Sequence, residues 1–338
     1  MGHFQWGNLL FVFRISGITP YIKNDLGKFQ VSKFLYFWCL LTLVVLVSFF
    51  SYLAGDVVKF FKGNLMTDAF AVYNVVGGYY TCVICQVVLL YNYIDMANIV
   101  NTIEEILKKI PPRRKFNWLQ GIFILDILMA AGNFYLQISN SPFLALPMSA
   151  ILLVHYYFLL FHIIFAMFVW NIELSYREIN FKICEEMVYF SPRSKIMQKL
   201  WRNNFKHFQK LLWNRVKLKR SLYFSLCDVV NMVDGCFRIT NCLLIAASFF
   251  SMIYSCFLIY DNGSQDFFRL FMGTYRVSSN VLKLVTLLKI CSDVATEVSF
   301  PLILLVCCYS NEFIIIAFHN MHALYVHYGG FTYFVQRF

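Results

Sequence analysis

The chain has 338 residues, of which 59% are apolar and 14% charged, against roughly 45–50% apolar and about 25% charged in soluble domains. A soluble fold of this size could not hide so many aliphatic and aromatic side chains, so the composition excludes an ordinary soluble protein and calls for a bilayer as solvent. The net charge of +11 comes without stacking modules or motifs for nucleic acid, which is therefore not expected as a partner; membrane lipids are.

In chain order, residues 1–33 read as a cytoplasmic amino-terminal segment. Its one apolar run, 9–13, is too short for a signal peptide and lacks a small-residue cleavage site. A polytopic, all-α membrane helical bundle is expected over 34–298, since about 20 apolar residues cross the hydrocarbon as helix. Spans are expected at 34–54, 69–91, 118–137, 146–170 and 239–260. A sixth, 273–291, is interrupted by Lys283 and Lys289, which near span ends would carry their amines out to the headgroups. Residues 299–338 form an atypical ending with a possible seventh span at 299–318, giving six to seven in all.

Two connections read as extended cytosolic helices. In 95–117, Met96, Ile99, Val100, Ile103, Ile106, Leu107 and Ile110 recur at helical spacing, Thr102 and Glu105 match a capping box, and Pro111-Pro112 ends the segment. In 173–238, Tyr176, Ile179, Ile183, Met187 and Phe190 extend the fourth span, and Ser191-Pro192 opens a new helix with its own apolar stripe. Basic residues set the direction. The amino-terminal, second and fourth connections hold 22 Lys and Arg, the opposite set 4, so the amino terminus is expected on the cytoplasmic side. The sequon Asn262-Gly263-Ser264 then falls outside, as a glycosylation acceptor should.

Catalytic motifs are missing: there is no Gly-rich phosphate loop, HExxH or nucleophile elbow. An enzyme is not expected, nor a cofactor or metal. Cys82 and Cys85 form a CxxC, but within a span they read as small hydrophobes. His155 and His162 share one face of the fourth span, which suits cavity-lining imidazoles or a polar ligand. Asp126 is an acid near the middle of an otherwise apolar span, costly enough to mark a functional site. Polar and aromatic residues gather in the outer halves of the spans: Tyr73, Asn74, Asn133, Tyr135, Gln137, His155, Tyr156, Tyr254 and Tyr275. They could close a pocket for a small molecule held by shape and a few hydrogen bonds. Glu312 would sit within the seventh span, where it could line a cation pathway.

Span count, orientation and the long fourth connection together make the chain resemble the insect gustatory receptors and, more distantly, the insect odorant receptors. Gly17-Ile18-Thr19-Pro20-Tyr21, followed by a basic stretch and the first span, looks like the opening of that family. Leu287-Leu288-Lys289-Ile290-Cys291-Ser292-Asp293-Val294-Ala295-Thr296-Glu297 looks like the end of its sixth span. The resemblance covers about residues 8–297. Thr332-Tyr333-Phe334-Val335-Gln336-Arg337-Phe338 keeps the family's closing letters with altered spacing. The resemblance implies a seven-span receptor of inverted topology in the plasma membrane, a ligand-gated cation channel subunit that detects small tastants as a homo- or heterotetramer. A heptahelical G-protein-coupled receptor is the alternative by span count, but it requires an outside amino terminus. A non-channel variant lacking a functional seventh span is the other alternative.

Overall fold

In hydrocarbon a backbone must satisfy its own hydrogen bonds, and a long apolar segment does so as a helix. The computed structural model describes residues 7–60, 76–110, 126, 128, 132, 135, 145–189, 195–261 and 267–308. The elements among them are α1 (Gly7–Ile15), β1 (Tyr21–Lys23), β2 (Phe29–Val31), α2 (Lys33–Phe60), α3 (Gly78–Tyr91), α4 (Tyr93–Lys109), α5 (Ala145–Tyr189), α6 (Lys195–Asp261) and α7 (Phe267–Cys308). Residues 126, 128, 132 and 135 are helical as well. Three described helices contain stretches long and apolar enough to cross a membrane, Lys33–Tyr52, Leu152–Glu185 and Ser221–Phe257. The pair α3 and α4, bent by 66°, adds a fourth if it counts as one span.

α5 is the central post, packed against α6 and α7 most extensively and also against α2, α3 and α4. Between Tyr157 and Ile179 its apolar residues run right round the helix and are mostly buried, as such a helix requires; Phe161, Ile164 and Phe168 are fully enclosed. α2 is peripheral and turns Phe34, Phe37, Leu41, Val44 and Val45 outward, the composition of a lipid-facing surface. α5 ends at Tyr189 and α6 begins at Lys195, so the break expected at Ser191-Pro192 falls between them, outside the described residues. α6 then runs 67 residues without interruption, about 100 Å at 1.5 Å per residue. The residues 299–308, expected to open a separate span, continue α7 without a break.

The amino-terminal segment is tied into the bundle. Gly17 ends α1 at φ +67°, with Gly17 N–H donating to Arg14 O (3.1 Å) and Ile18 N–H to Phe13 O (2.9 Å). This left-handed cap needs glycine. Space demands it too, since a Cβ there would lie 1.8 Å from Thr42 Oγ1. The antiparallel pair β1 and β2 is fastened to α4 by Asn101, whose amide bonds Phe29 N–H (2.7 Å) and Phe29 O (2.9 Å). Lys23 adds an ion pair to buried Glu104 (2.8 Å). Tyr21 is buried and donates to Tyr93 O (3.0 Å); burial raises its phenol well above the ordinary value. The capping box expected at Thr102 and Glu105 is not formed. Both lie inside α4, which starts nine residues before Thr102, so Thr102 donates back to Asn98 O and Glu105 pairs with Lys109.

Candidate functional site

Asp126 is the hub of a buried polar cluster at the meeting of its own helical segment with α5 and α7. Tyr275, Ser279 and Lys283 recur every four residues on α7 and so present one stripe. Ser279 Oγ donates to Asp126 Oδ1 (2.5 Å), and Tyr275 OH reaches the same oxygen (3.2 Å) and the Asp126 carbonyl (3.1 Å). Lys283 Nζ lies 3.1 Å from Asp126 Oδ2, and His155 Nε2 from α5 lies 3.2 Å from it. A carboxylate accepts from all of these donors, so the charge is both paired and fully hydrogen-bonded, which makes burial of an acid at this depth tolerable. Lys283 and Asp126 side chains are 5% and 9% exposed. The expectation that Lys283 extends to the headgroups is therefore overturned: its amine is buried against a carboxylate on a neighbouring helical segment.

Below this cluster is a cavity of about 20 Å³, lined by Asp126, His162, Ser279, Lys283 and Thr286 with leucines around them; on that measure it has room for about a water molecule. His162 Nδ1 lies 2.7 Å from Phe158 O and must donate there, since a carbonyl only accepts. With that tautomer Nε2 is a bare acceptor, and it is buried with no partner among the described residues.

Three of the residues expected at a site, Asp126, His155 and Tyr275, are thus brought together. Tyr156 is turned elsewhere, its hydroxyl 2.8 Å from Ser16 Oγ. Tyr135 is 73% exposed, and Tyr254 is half-buried on α6, close to Arg276. Tyr73, Asn74, Asn133, Gln137, Asn262 and Glu312 lie outside the described residues. Ser279, Lys283 and Thr286 were not expected at the site. The signal for the first two was present in the four-residue spacing from Tyr275.

A second polar knot joins the opposite ends of the same helices. Arg177 on α5 pairs with Glu173 and, across to α7, with Glu297 (3.1 Å). Asn180 Nδ2 donates to Glu297 O (2.7 Å), and Tyr223 OH on α6 donates to Val298 O (3.0 Å). α5, α6 and α7 are therefore locked together near Glu297, the residue that closes the run 287–297.

Long apolar helices around a satisfied buried ion pair define a multi-pass membrane protein with a polar cluster inside the bundle. Residues 8–313 match the family described as 7tm Chemosensory receptor, and the chain belongs to that family. It is a chemosensory receptor of the insect gustatory type, not an enzyme, and such a receptor takes a small-molecule ligand. A comparison with curated proteins gives no match.

Proposed function

We propose that the chain is a gustatory receptor subunit of the plasma membrane, amino terminus inside, in which a small uncharged tastant opens a cation pathway formed with three further subunits. The Asp126 cluster supports this reading best. With the amino terminus inside, α5 and α7 both enter from the outer face. His155 then lies about 15 Å and Lys283 about 24 Å from the starts of their helices at 1.5 Å per residue, so the cluster occupies the outer half to the middle of the bundle. Because Lys283 neutralises Asp126, a fully charged ligand would find no free counter-charge there, whereas hydroxyl or amide groups could exchange hydrogen bonds with Tyr275, Ser279 and His155. A ligand acts by binding one arrangement of these helices better than the other.

The test is ligand-evoked current in cells expressing the chain alone and with related subunits, over a panel of uncharged and ionic tastants. Tyr275→Phe and His155→Ala should shift the dose-response curve at unchanged surface expression. Unchanged curves for both variants would remove the cluster as the ligand site, and no current from any combination would remove the channel reading.

A further inference from the structure

His162 brings an unused acceptor into the middle of the bundle. It lies on α5 seven residues, or about two turns, beyond His155 and shares its face, but it is more deeply enclosed, at 2% exposure. Its Nδ1 hydrogen is spent on Phe158 O (2.7 Å), and Nε2 is buried with no partner among the described residues. A buried acceptor left bare forfeits the hydrogen bond that water gave it in the unfolded chain, and protein interiors leave few such groups unserved.

The cavity that His162 lines carries complementary groups. Lys283 directs one of its three N–H bonds to Asp126 Oδ2 (3.1 Å) while only 5% exposed, so the others need acceptors inside the bundle. Thr286 lines the same space. Elsewhere on α7, Thr274, Ser278, Thr296 and Ser299 bond to the carbonyl four residues back, whereas Thr286 makes no hydrogen bond to the described residues. Asp126 has no capacity left for a further donor, because Ser279 and Tyr275 take Oδ1 while Lys283 and His155 take Oδ2.

Charge and size both select the occupant. A cation would lie against the Lys283 ammonium, and an anion against the Asp126 carboxylate and a nitrogen lone pair, so a neutral molecule that both donates and accepts is required. The volume of about 20 Å³ suits a single water. An apolar cavity of that size would stay dry, but this one offers an acceptor, an ammonium and a hydroxyl, which is the number of partners that a buried water ordinarily has.

We propose that this cavity binds one internal water molecule, which donates to His162 Nε2, accepts from Lys283 Nζ and bonds the Thr286 hydroxyl. His162 thereby joins the Asp126 network, and α5 holds α7 at two levels on one face, directly through His155 and through the water at His162. The water belongs to the bundle itself, whatever ligand the Asp126 cluster takes.

The test is proton-detected solid-state NMR of the full chain in phospholipid bilayers, with histidine labelled in carbon-13 and nitrogen-15 and isoleucine in nitrogen-15. His162-Ile163 is the one His-Ile step in the sequence, so the His162 ring is assigned through that link without a variant. Expected are a protonated Nδ1, a non-protonated Nε2, and at Nε2 a cross-peak to a proton at the water frequency that persists in Thr286→Val. A proton bonded to Nε2 overturns the proposal, because the acceptor is then gone. A cross-peak to the Lys283 ammonium in place of water overturns it as a direct bond, and loss of the cross-peak in Thr286→Val overturns it by making the hydroxyl the donor. Absence of any exchangeable proton near Nε2 means a dry cavity and overturns it as well.

Discussion

The ion pair between Asp126 and Lys283 makes a sharp prediction about stability. At 3.1 Å and an effective dielectric constant of 20, the pair attraction is about 5 kcal/mol, offset by the cost of taking both ions out of water. Removing one partner leaves the other charge buried without its offset. Asp126→Leu and Lys283→Met are therefore each expected to destabilise the bundle by about 3–5 kcal/mol, whereas the double variant, which leaves neither charge, should lie within about 1–2 kcal/mol of the parent. The coupling would then be several kcal/mol, far above the few tenths expected of independent sites. Thermal melting of the detergent-solubilised receptor, followed by fluorescence-detected size exclusion for all four proteins, measures the cycle. Additive losses in the double variant would refute the reasoning, and so would a single Lys283→Met variant as stable as the parent, because both outcomes mean that the two groups are solvated separately.

Other positions give further expectations. Gly17→Ala must accommodate a Cβ 1.8 Å from Thr42 Oγ1 at φ +67°, so at least about 1–2 kcal/mol is lost from the left-handed backbone alone, to be read as a lowered melting temperature and poor monodispersity. Asn101→Ala removes both bonds to the Phe29 backbone; a loss of about 1–2 kcal/mol should appear as faster hydrogen exchange in β1 and β2 with α5 unchanged. Glu297→Ala strips Arg177 and Asn180 of their shared partner and should raise hydrogen exchange around 293–300, while leaving exchange around Tyr275 at its parent rate. Lys109→Ala should leave global stability within about 0.5 kcal/mol, because the exposed pair it breaks with Glu105 is worth only a few tenths; a larger loss in the melting curve would contradict the assignment of α4 to solvent on that face.

Much of the bundle was legible in the sequence because the signals were local. Apolar runs of span length marked α2, α5 and the end of α6, and the prolines at 111–112 follow the last turn of α4. Asp126 announced itself, since an acid in an apolar run is costly wherever its partner lies. What the sequence hid was pairing. Lys283 is the same residue type as Lys289, and only the neighbouring helix separates them: one points at Asp126 and is buried, the other is exposed and pairs with Asp293 on its own helix. Tyr156 likewise sits beside His155 in sequence but a third of a turn away on the helix, so it serves Ser16 and not the carboxylate.

That division suggests how the two polar knots relate. α5 and α7 carry both of them, the Asp126 cluster toward one end and the Arg177–Glu297 contacts toward the other, and between them the two helices pack with apolar surfaces of buried residues such as Ile290 and Val294. Apolar packing is non-directional and tolerates small sliding, whereas each knot holds one set of donor and acceptor distances. A ligand that rearranged the bonds to Asp126 would therefore transmit its effect as a displacement of α7 along α5, felt at Glu297 as strain on Arg177 and Asn180. On the reading that Asp126 belongs to the ligand site, gripping the same pair of helices at both ends would turn a local exchange of hydrogen bonds into a motion of a whole element, which is what a receptor needs if a small molecule is to be sensed across the membrane.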